Sequence, residues 1–357
     1  MKNITLGILG GGQLGRMSAL AAANIGINVH IFTPESNSPA SKVCEHTVVA
    51  DYNDKQALEN FARNVDVISY EFENIPVETI NFLKQKKSVY PDEKLLEVSQ
   101  DRIIEKSFLN HIGIETTRWK KFENEQSVLD AYIEWDASTV ILKTTRFGYD
   151  GKGQIKINKG ENISETVRNL SGEIIIEEMV DFTCEISMIC ARDANKNTVT
   201  YGPMLNEHKD HILHTTTVPA GVSSDLSTQA KNMIRNLAQS IDLKGVLTLE
   251  LFITRDEKLL ANEIAPRTHN SGHWSMNACL YSQFDNHIRA VCGFPVMLPQ
   301  RHSDAKMLNL IGEDILKVDK LLKEPGTYLH DYGKTDIRSG RKMGHINFIS
   351  PKSSPVT

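Results

Sequence analysis

Residues 245–274 constrain this chain more than any other stretch. They begin Gly-Val-Leu-Thr-Leu-Glu250-Leu-Phe, pass through a charged turn at Arg255-Asp256-Glu257-Lys258, and return through Asn262-Glu263 to Pro266-Arg267-Thr268-His269-Asn270-Ser271-Gly272-His273. The first run alternates around a single carboxylate, as a strand does. The turn fits a hairpin, so Leu259–Ile264 is expected to pair back on the first strand. Glu250 and Glu263 then share one face. Two acids on an apolar hairpin are costly unless a cation neutralises them. Hard oxygen ligands with few His or Cys neighbours suit Mg²⁺, which takes one or two carboxylates and fills its shell with substrate phosphates. The following loop adds Arg267, His269, Asn270, Ser271 and His273 within seven residues. The competing reading is a solvated acidic hairpin, and an acid held inside an apolar run weighs against it.

The chain has 357 residues, enough for two or three domains, and its 40% apolar and 24% charged content is that of a globular protein. A net charge of −5 disfavours a nucleic-acid partner, which needs basic stripes. Five cysteines without a Cys-x-x-Cys pair disfavour disulfides or zinc and point to the cytoplasm. No apolar run is long enough for a membrane span.

Up to about residue 95, strands alternate with helical patterns, as in a parallel sheet covered by helices. Strands are expected at Ile4–Leu9, Val29–Phe32, Thr47–Ala50 and Val65–Ser69. Lys94–Asn110 reads as a helical bridge. A second region from about Gly113 mixes helices and strands and becomes antiparallel over Phe182–Pro219. The last 60 or so residues read as a smaller sheet-rich unit with strands at Tyr328–Tyr332 and His345–Ile349.

Two glycine loops stand out. Gly10-Gly11-Gly12-Gln13-Leu14-Gly15 has the spacing of a dinucleotide fingerprint, but Thr33-Pro34 stands where the ribose-binding acid belongs. The helix N-terminus remains a cradle for one phosphate, with a purely structural tight turn as the alternative. Gly148-Tyr149-Asp150-Gly151-Lys152-Gly153-Gln154 reads as a flap over phosphates, supported by Lys143 just before it. Glu177-Glu178-Met179-Val180 with Glu185 offers a linker for an adenine edge and a carboxylate for ribose. Glu73 lies at the carboxyl end of a strand, where open α/β sheets meet ligands. Lys334, Arg338, Arg341 and Lys342 form a basic cluster that suits a phosphate or is a solvated turn.

With these pieces in order the chain resembles the ATP-grasp enzymes and, within them, the N5-carboxyaminoimidazole ribonucleotide synthetase family of purine biosynthesis. The resemblance runs through Gly10–Gly15, Tyr70–Asn74, Gln100-Asp101-Arg102, Gly148–Gln154, Asn262–His273 and Gly340–His345. It implies an α/β and α+β molecule: a Rossmann-like pre-ATP-grasp domain over 1–95, an ATP-grasp domain over 96–296 with a small mobile lid at about 113–177, and a C-terminal unit over 297–357. It implies ATP contacts from Arg102, Lys143, Gly148–Gln154, Glu177–Val180, Glu185, His208 and Asn262-Glu263, and Mg²⁺ on Glu250 and Glu263. Aminoimidazole ribonucleotide would meet Gly11, Gly12, Gln13, Leu14, Glu73, Tyr149, Asp150, Lys334 and Arg341. Arg267, His269, Asn270 and Ser271, with Lys334, would serve the bicarbonate-derived group and the proton traffic. A homodimer is what the family suggests. The rivals are a formate-dependent glycinamide ribonucleotide transformylase within the superfamily, an NAD-dependent oxidoreductase, and a non-catalytic nucleotide sensor. Missing ribose acid and a complete second nucleotide site count against the oxidoreductase; both metal carboxylates count against the sensor.

Overall fold

The computed structural model describes residues 3–148 and 151–353. Its first sheet has five parallel strands in the order His46–Val49, Asn28–Thr33, Thr5–Leu9, Val67–Tyr70 and Ser88–Val89. Leu6, Ile8, Ile31 and Ile68 are buried because helices cover both faces. The strand–glycine–helix order places helix Gln13–Asn24 at the carboxyl end of the first strand.

The expected single bridge at Lys94–Asn110 is instead two helices, Glu93–Gln100 and Arg102–His111. Asp101 breaks it. Its backbone is extended, and its carboxylate accepts the amides of Ile103 at 2.9 Å and Ile104 at 3.3 Å, capping the second helix.

Four antiparallel strands then form a small sheet ordered Trp119–Lys121, Ile174–Glu178, Thr139–Thr144 and Gln154–Asn158. Helix Glu125–Glu134 closes its core, packing Val128 and Tyr132 on Val140, Leu142, Ile157 and Ile176. The flap lies between its last two strands.

An eight-stranded antiparallel sheet makes up the rest. Its order is Leu259–Ala265, Gly245–Thr254, Phe182–Arg192, Thr198–Lys209, Ile212–Val218, Ser303–Ile311, Lys342–Pro351 and Thr327–Asp331. The C-terminal strands are therefore a continuation of the central sheet, not a separate one. Strand Ser303–Ile311, which alternation in the sequence did not reveal, makes the join by pairing with Ile212–Val218. Helix Ser224–Ser240 buries Leu226, Ala230, Ile234 and Leu237 against one face. Helix Gln283–Val291 packs Phe284, Ile288 and Val291 among Leu6, Ile8 and Met17 of the first domain. His287 on that helix meets Ser69 Oγ at 3.0 Å. These contacts hold the carboxyl ends of the parallel strands over the hairpin.

Candidate active site

Glu250 and Glu263 stand directly opposite one another in the hairpin ladder. Leu249 and Leu251, on either side of Glu250, point into the core, so the pleat turns Glu250 towards the cleft. Burial and the neighbouring Glu263 push the Glu250 carboxyl up to about 8. Like charges directly opposed destabilise a ladder. Asn262, next to Glu263 on the same strand, has a buried Oδ1 without a hydrogen-bond partner. Two carboxylates and an orphaned oxygen make a hard-cation donor set. Among the described residues no group of three or more His, Cys, Asp and Glu can hold a metal by itself.

The loop after the hairpin is held tightly. Arg267 forks onto the Glu73 carboxylate, with Nη2 donating to Oε1 at 2.9 Å and Nε to Oε2. Burial, followed by the Arg267 charge, keeps His269 well below its ordinary range and so neutral. His269 Nε2 lies 3.1 Å from Glu250 Oε1, and its Nδ1 lies 2.9 Å from Ser271 Oγ. Gln283 clamps the His269 backbone, accepting its amide at 2.9 Å and donating to its carbonyl at 2.7 Å.

Two residues expected at the site have protein partners here. Ser271 is fully buried and accepts from Ser187 Oγ at 2.7 Å, so it reaches the cleft only through His269. The Asn270 side chain is committed to a reciprocal pair with Asn309, at 3.0 and 2.7 Å. Both residues support the loop from behind.

On the nucleotide side, Arg102 Nη1 donates to Glu263 Oε2 at 3.3 Å. Lys143 Nζ donates to Glu177 Oε2 at 2.7 Å. Burial would raise the Glu177 carboxyl, but Lys143, Lys106 and Arg102 overcome it and hold it at about 2. His208 Nδ1 meets Glu185 Oε2 at 3.0 Å on adjacent strands. Gly151 and Gly153 have φ of +77° and +73°, and a Cβ on Gly151 would strike His211 at 2.5 Å. Only glycine serves at that contact. Tyr149 and Asp150 lie outside the described residues. Glu178 spends its side chain on Arg118, and its amide donates to the Arg118 carbonyl at 2.9 Å. A cleft of about 1030 Å³ opens beside it, lined by Glu178, Met179, Val180, Arg118 and Leu260. The carboxylate pair lies beyond that lining.

The glycine loop holds a surprise. Glu71 already fills the helix N-terminus, accepting Gly12 N at 2.7 Å and Gly15 N at 3.2 Å. The cradle expected to receive a phosphate is thus partly occupied by the chain's own carboxylate. Of the other loop residues, Gln13 is half-buried, while Gly11 and Leu14 are buried. The basic cluster does come to this end. Tyr332 packs in one core with Leu14, and Lys334 feels the charges of Arg341 and Glu71. Burial, then Arg341, lowers the Lys334 ammonium to about 8. Lys334 donates to the Lys342 carbonyl at 2.7 Å, and Arg341 to the Asp336 carbonyl at 2.9 Å.

The chain is 45% identical over 352 residues to the N5-carboxyaminoimidazole ribonucleotide synthase of Brucella melitensis, covering 98% of this chain and 97% of the relative. It belongs to that family. The Bacillus subtilis synthase is 38% identical over 348 residues, with 96% of this chain and 91% of the relative covered. Three domain families match in turn: the ribonucleotide synthetase preATP-grasp domain at residues 1–100, the ATP-grasp domain at 107–284, and the phosphoribosylaminoimidazole carboxylase C-terminal domain at 305–356. The structure is similar to N5-carboxyaminoimidazole synthetase from Staphylococcus aureus complexed with ADP, with a TM-score of 0.93, 35% identity, and 98% and 94% of the chains covered. It is also similar to the Aspergillus clavatus synthase in complex with ADP and 5-aminoimidazole ribonucleotide, with a TM-score of 0.91, 26% identity, and 98% and 94% covered. The chain is accordingly an ATP-grasp ligase.

Three residues of the cleft escaped the sequence reading. Glu71 hid in a strand-end motif whose next acid drew attention. Glu105 and Lys106 follow Arg102 by three and four positions, which puts all three on one helix face. Ile104 beside them is 47% exposed. Glu105 Oε1 accepts the Ile264 amide at 2.5 Å, and burial pushes it up to about 8.

Proposed function

We propose that the chain carboxylates 5-aminoimidazole ribonucleotide with bicarbonate, using ATP and Mg²⁺ and releasing ADP and phosphate. The observation that carries this is the face-to-face Glu250–Glu263 pair beside the neutral His269 and the Glu73-clamped Arg267. Bicarbonate is a poor electrophile, and its oxygen is activated by attack on the γ-phosphorus, with ADP leaving. Lys143 and Arg102 neutralise charge on the transferring group, as positioned cations do in phosphoryl transfer. Glu250 and Glu263 would hold Mg²⁺, which would supply positive charge to screen the phosphates. The resulting carboxyphosphate hydrolyses readily, so the flap Gly148–Gln154 closes over it and excludes water. The exocyclic amine of the ribonucleotide then takes the carboxyl group, directly or after CO₂ is released, and phosphate departs. Arg267 stabilises the carboxylate being transferred. His269 is neutral and can accept a proton; Lys334 is the second group able to exchange one. Lys334 and Arg341 hold the ribonucleotide phosphate at the rim of the glycine loop.

The domain division at about residues 95 and 296, with a lid over 113–177, is part of this reading, as are a homodimer and a cytoplasmic location. The five cysteines are unpaired, and no helix among the described residues is long and apolar enough to cross a membrane. The test is phosphate release from ATP measured with each substrate omitted in turn. Release should require bicarbonate and the ribonucleotide together. Release driven by formate and glycinamide ribonucleotide instead would transfer the chain to the neighbouring activity.

A further inference from the structure

The helix Arg102–His111 begins inside out. Ile104 is 47% exposed, whereas Glu105 and Lys106 beside it are 2% and 0% exposed. A lysine wholly removed from water is an expensive way to fill space, since apolar groups of the same volume generally pack as well or better. The Lys106 ammonium reaches oxygens of three separate segments. It donates to Thr117 Oγ1 at 3.0 Å, lies 3.3 Å from Glu177 Oε1, and approaches the Asn262 carbonyl at 3.5 Å. Thr117 precedes the first strand of the small sheet, and Glu177 lies on the strand that leaves it. Asn262 neighbours Glu263 on the hairpin. The other oxygen of Glu177 accepts Lys143 Nζ at 2.7 Å. One carboxylate is therefore divided between a lysine of the body and a lysine of the small sheet.

We propose that Lys106 is a positioning residue for the nucleotide: it fixes Glu177 so that Glu177 holds the Lys143 ammonium over the phosphate path. The same contacts tie both roots of the lid to the hairpin that carries the carboxylate pair. With Lys106 gone, both Glu177 oxygens turn to Lys143, and its ammonium is drawn from the cleft onto the linker. Lys106 itself touches no phosphate, because its side chain is wholly buried among protein groups, with Thr117 Oγ1 at 3.0 Å and Glu177 Oε1 at 3.3 Å. The inference rests on reading this cleft as the ATP site.

The test uses the full chain and titration calorimetry with MgATP, which needs neither bicarbonate nor the ribonucleotide. Lys106→Met, first shown by thermal melt to be folded, should weaken ATP binding roughly ten- to a hundredfold, as loss of a charge-assisted contact does. The KM for the ribonucleotide should stay within about twofold, the scatter of uncoupled sites. A general loosening of the fold would move both. If Lys106→Met does not fold, Glu177→Gln is compared with Lys106→Met/Glu177→Gln, which removes both buried charges together. Because Lys106 acts through Glu177, these two should bind ATP equally, again within about twofold. A folded Lys106→Met with native ATP affinity, or a double variant clearly weaker than Glu177→Gln, overturns the proposal. A native chain that binds ATP yet never consumes the ribonucleotide would overturn the carboxylase reading and leave this one standing.

Discussion

Glu263 carries opposite consequences for stability and for turnover. Its charge faces Glu250 across the ladder and raises the proton affinity of that carboxyl. Glu263→Gln removes the repulsion, so the metal-free variant should melt no lower than the native chain. Turnover should nevertheless fall by roughly a hundredfold or more, the scale of losing a preorganised charge at a reacting phosphate. Normal turnover at ordinary Mg²⁺ would remove Glu263 from the metal site. Lys334 offers a separate reading in pH. Burial and Arg341 lower its ammonium to about 8, so the charge is present at neutral pH and is lost as pH rises through that value. The KM for the ribonucleotide should climb above pH 8 while the KM for ATP stays level. A flat ribonucleotide KM up to pH 9 would exclude Lys334 from phosphate binding.

At the scale of an element, the 102–111 helix depends on its cap. Asp101 satisfies two amides of the first turn, and Arg102, Glu105 and Lys106 all project from that turn. Asp101→Ala should cost about 1 kcal/mol in urea unfolding, the usual worth of such a cap. It should also weaken ATP binding, because fraying displaces Arg102 from Glu263; unaltered ATP affinity would show that packing alone holds the turn. The strand Ile174–Glu178 gives a pH signature. Glu177 is held at about 2, below its ordinary 4.5, by Lys143, Lys106 and Arg102 acting against burial. Its contribution is therefore complete above about pH 4.5 and is lost as pH falls towards 2. Denaturation of the native chain should steepen in that window, and Glu177→Gln should be flatter there. Equal slopes would mean that this ion network adds nothing to acid stability. The sequence offered only a helical bridge here, and the buried side turned out to carry Glu105 and Lys106 while Ile104 is exposed. Which side a helix buries depends on what lies against it, and here that is the ionic floor of a cleft.

Across the whole molecule, residues over 300 positions apart meet at one end. The continuous eight-stranded sheet carries Lys334 and Arg341 back to the first domain, where Tyr332 packs with Leu14. Glu71 occupies part of the helix N-terminus, so on the proposed reading these cations carry more of the ribonucleotide phosphate than the glycine loop. Arg341→Lys removes a fork that can make two parallel bonds and leaves a point charge. The ribonucleotide KM should rise roughly ten- to a hundredfold, with the ATP and bicarbonate KM values unchanged. An unchanged ribonucleotide KM would reduce the cluster to a solvated turn.

The sequence by itself determined the elements whose signal is local. Alternation around Glu250 and a charged turn dictated the hairpin, and its register followed, because a one-residue slip would have buried both acids. Buried strands separated by glycines and helices dictated the parallel sheet, and the motifs from Gly10 to His345 carried the family. What only the tertiary structure decided are the pairings made over long sequence distances. Glu73 receives Arg267, Asn270 receives Asn309, Ser187 takes Ser271 out of the cleft, and Ile212–Val218 receives the C-terminal strands. No periodicity records such a partner, since a polar residue reads the same whether it faces water, a ligand or a distant side chain. Only packing, which withdraws the water and demands a replacement for each lost hydrogen bond, selects among them.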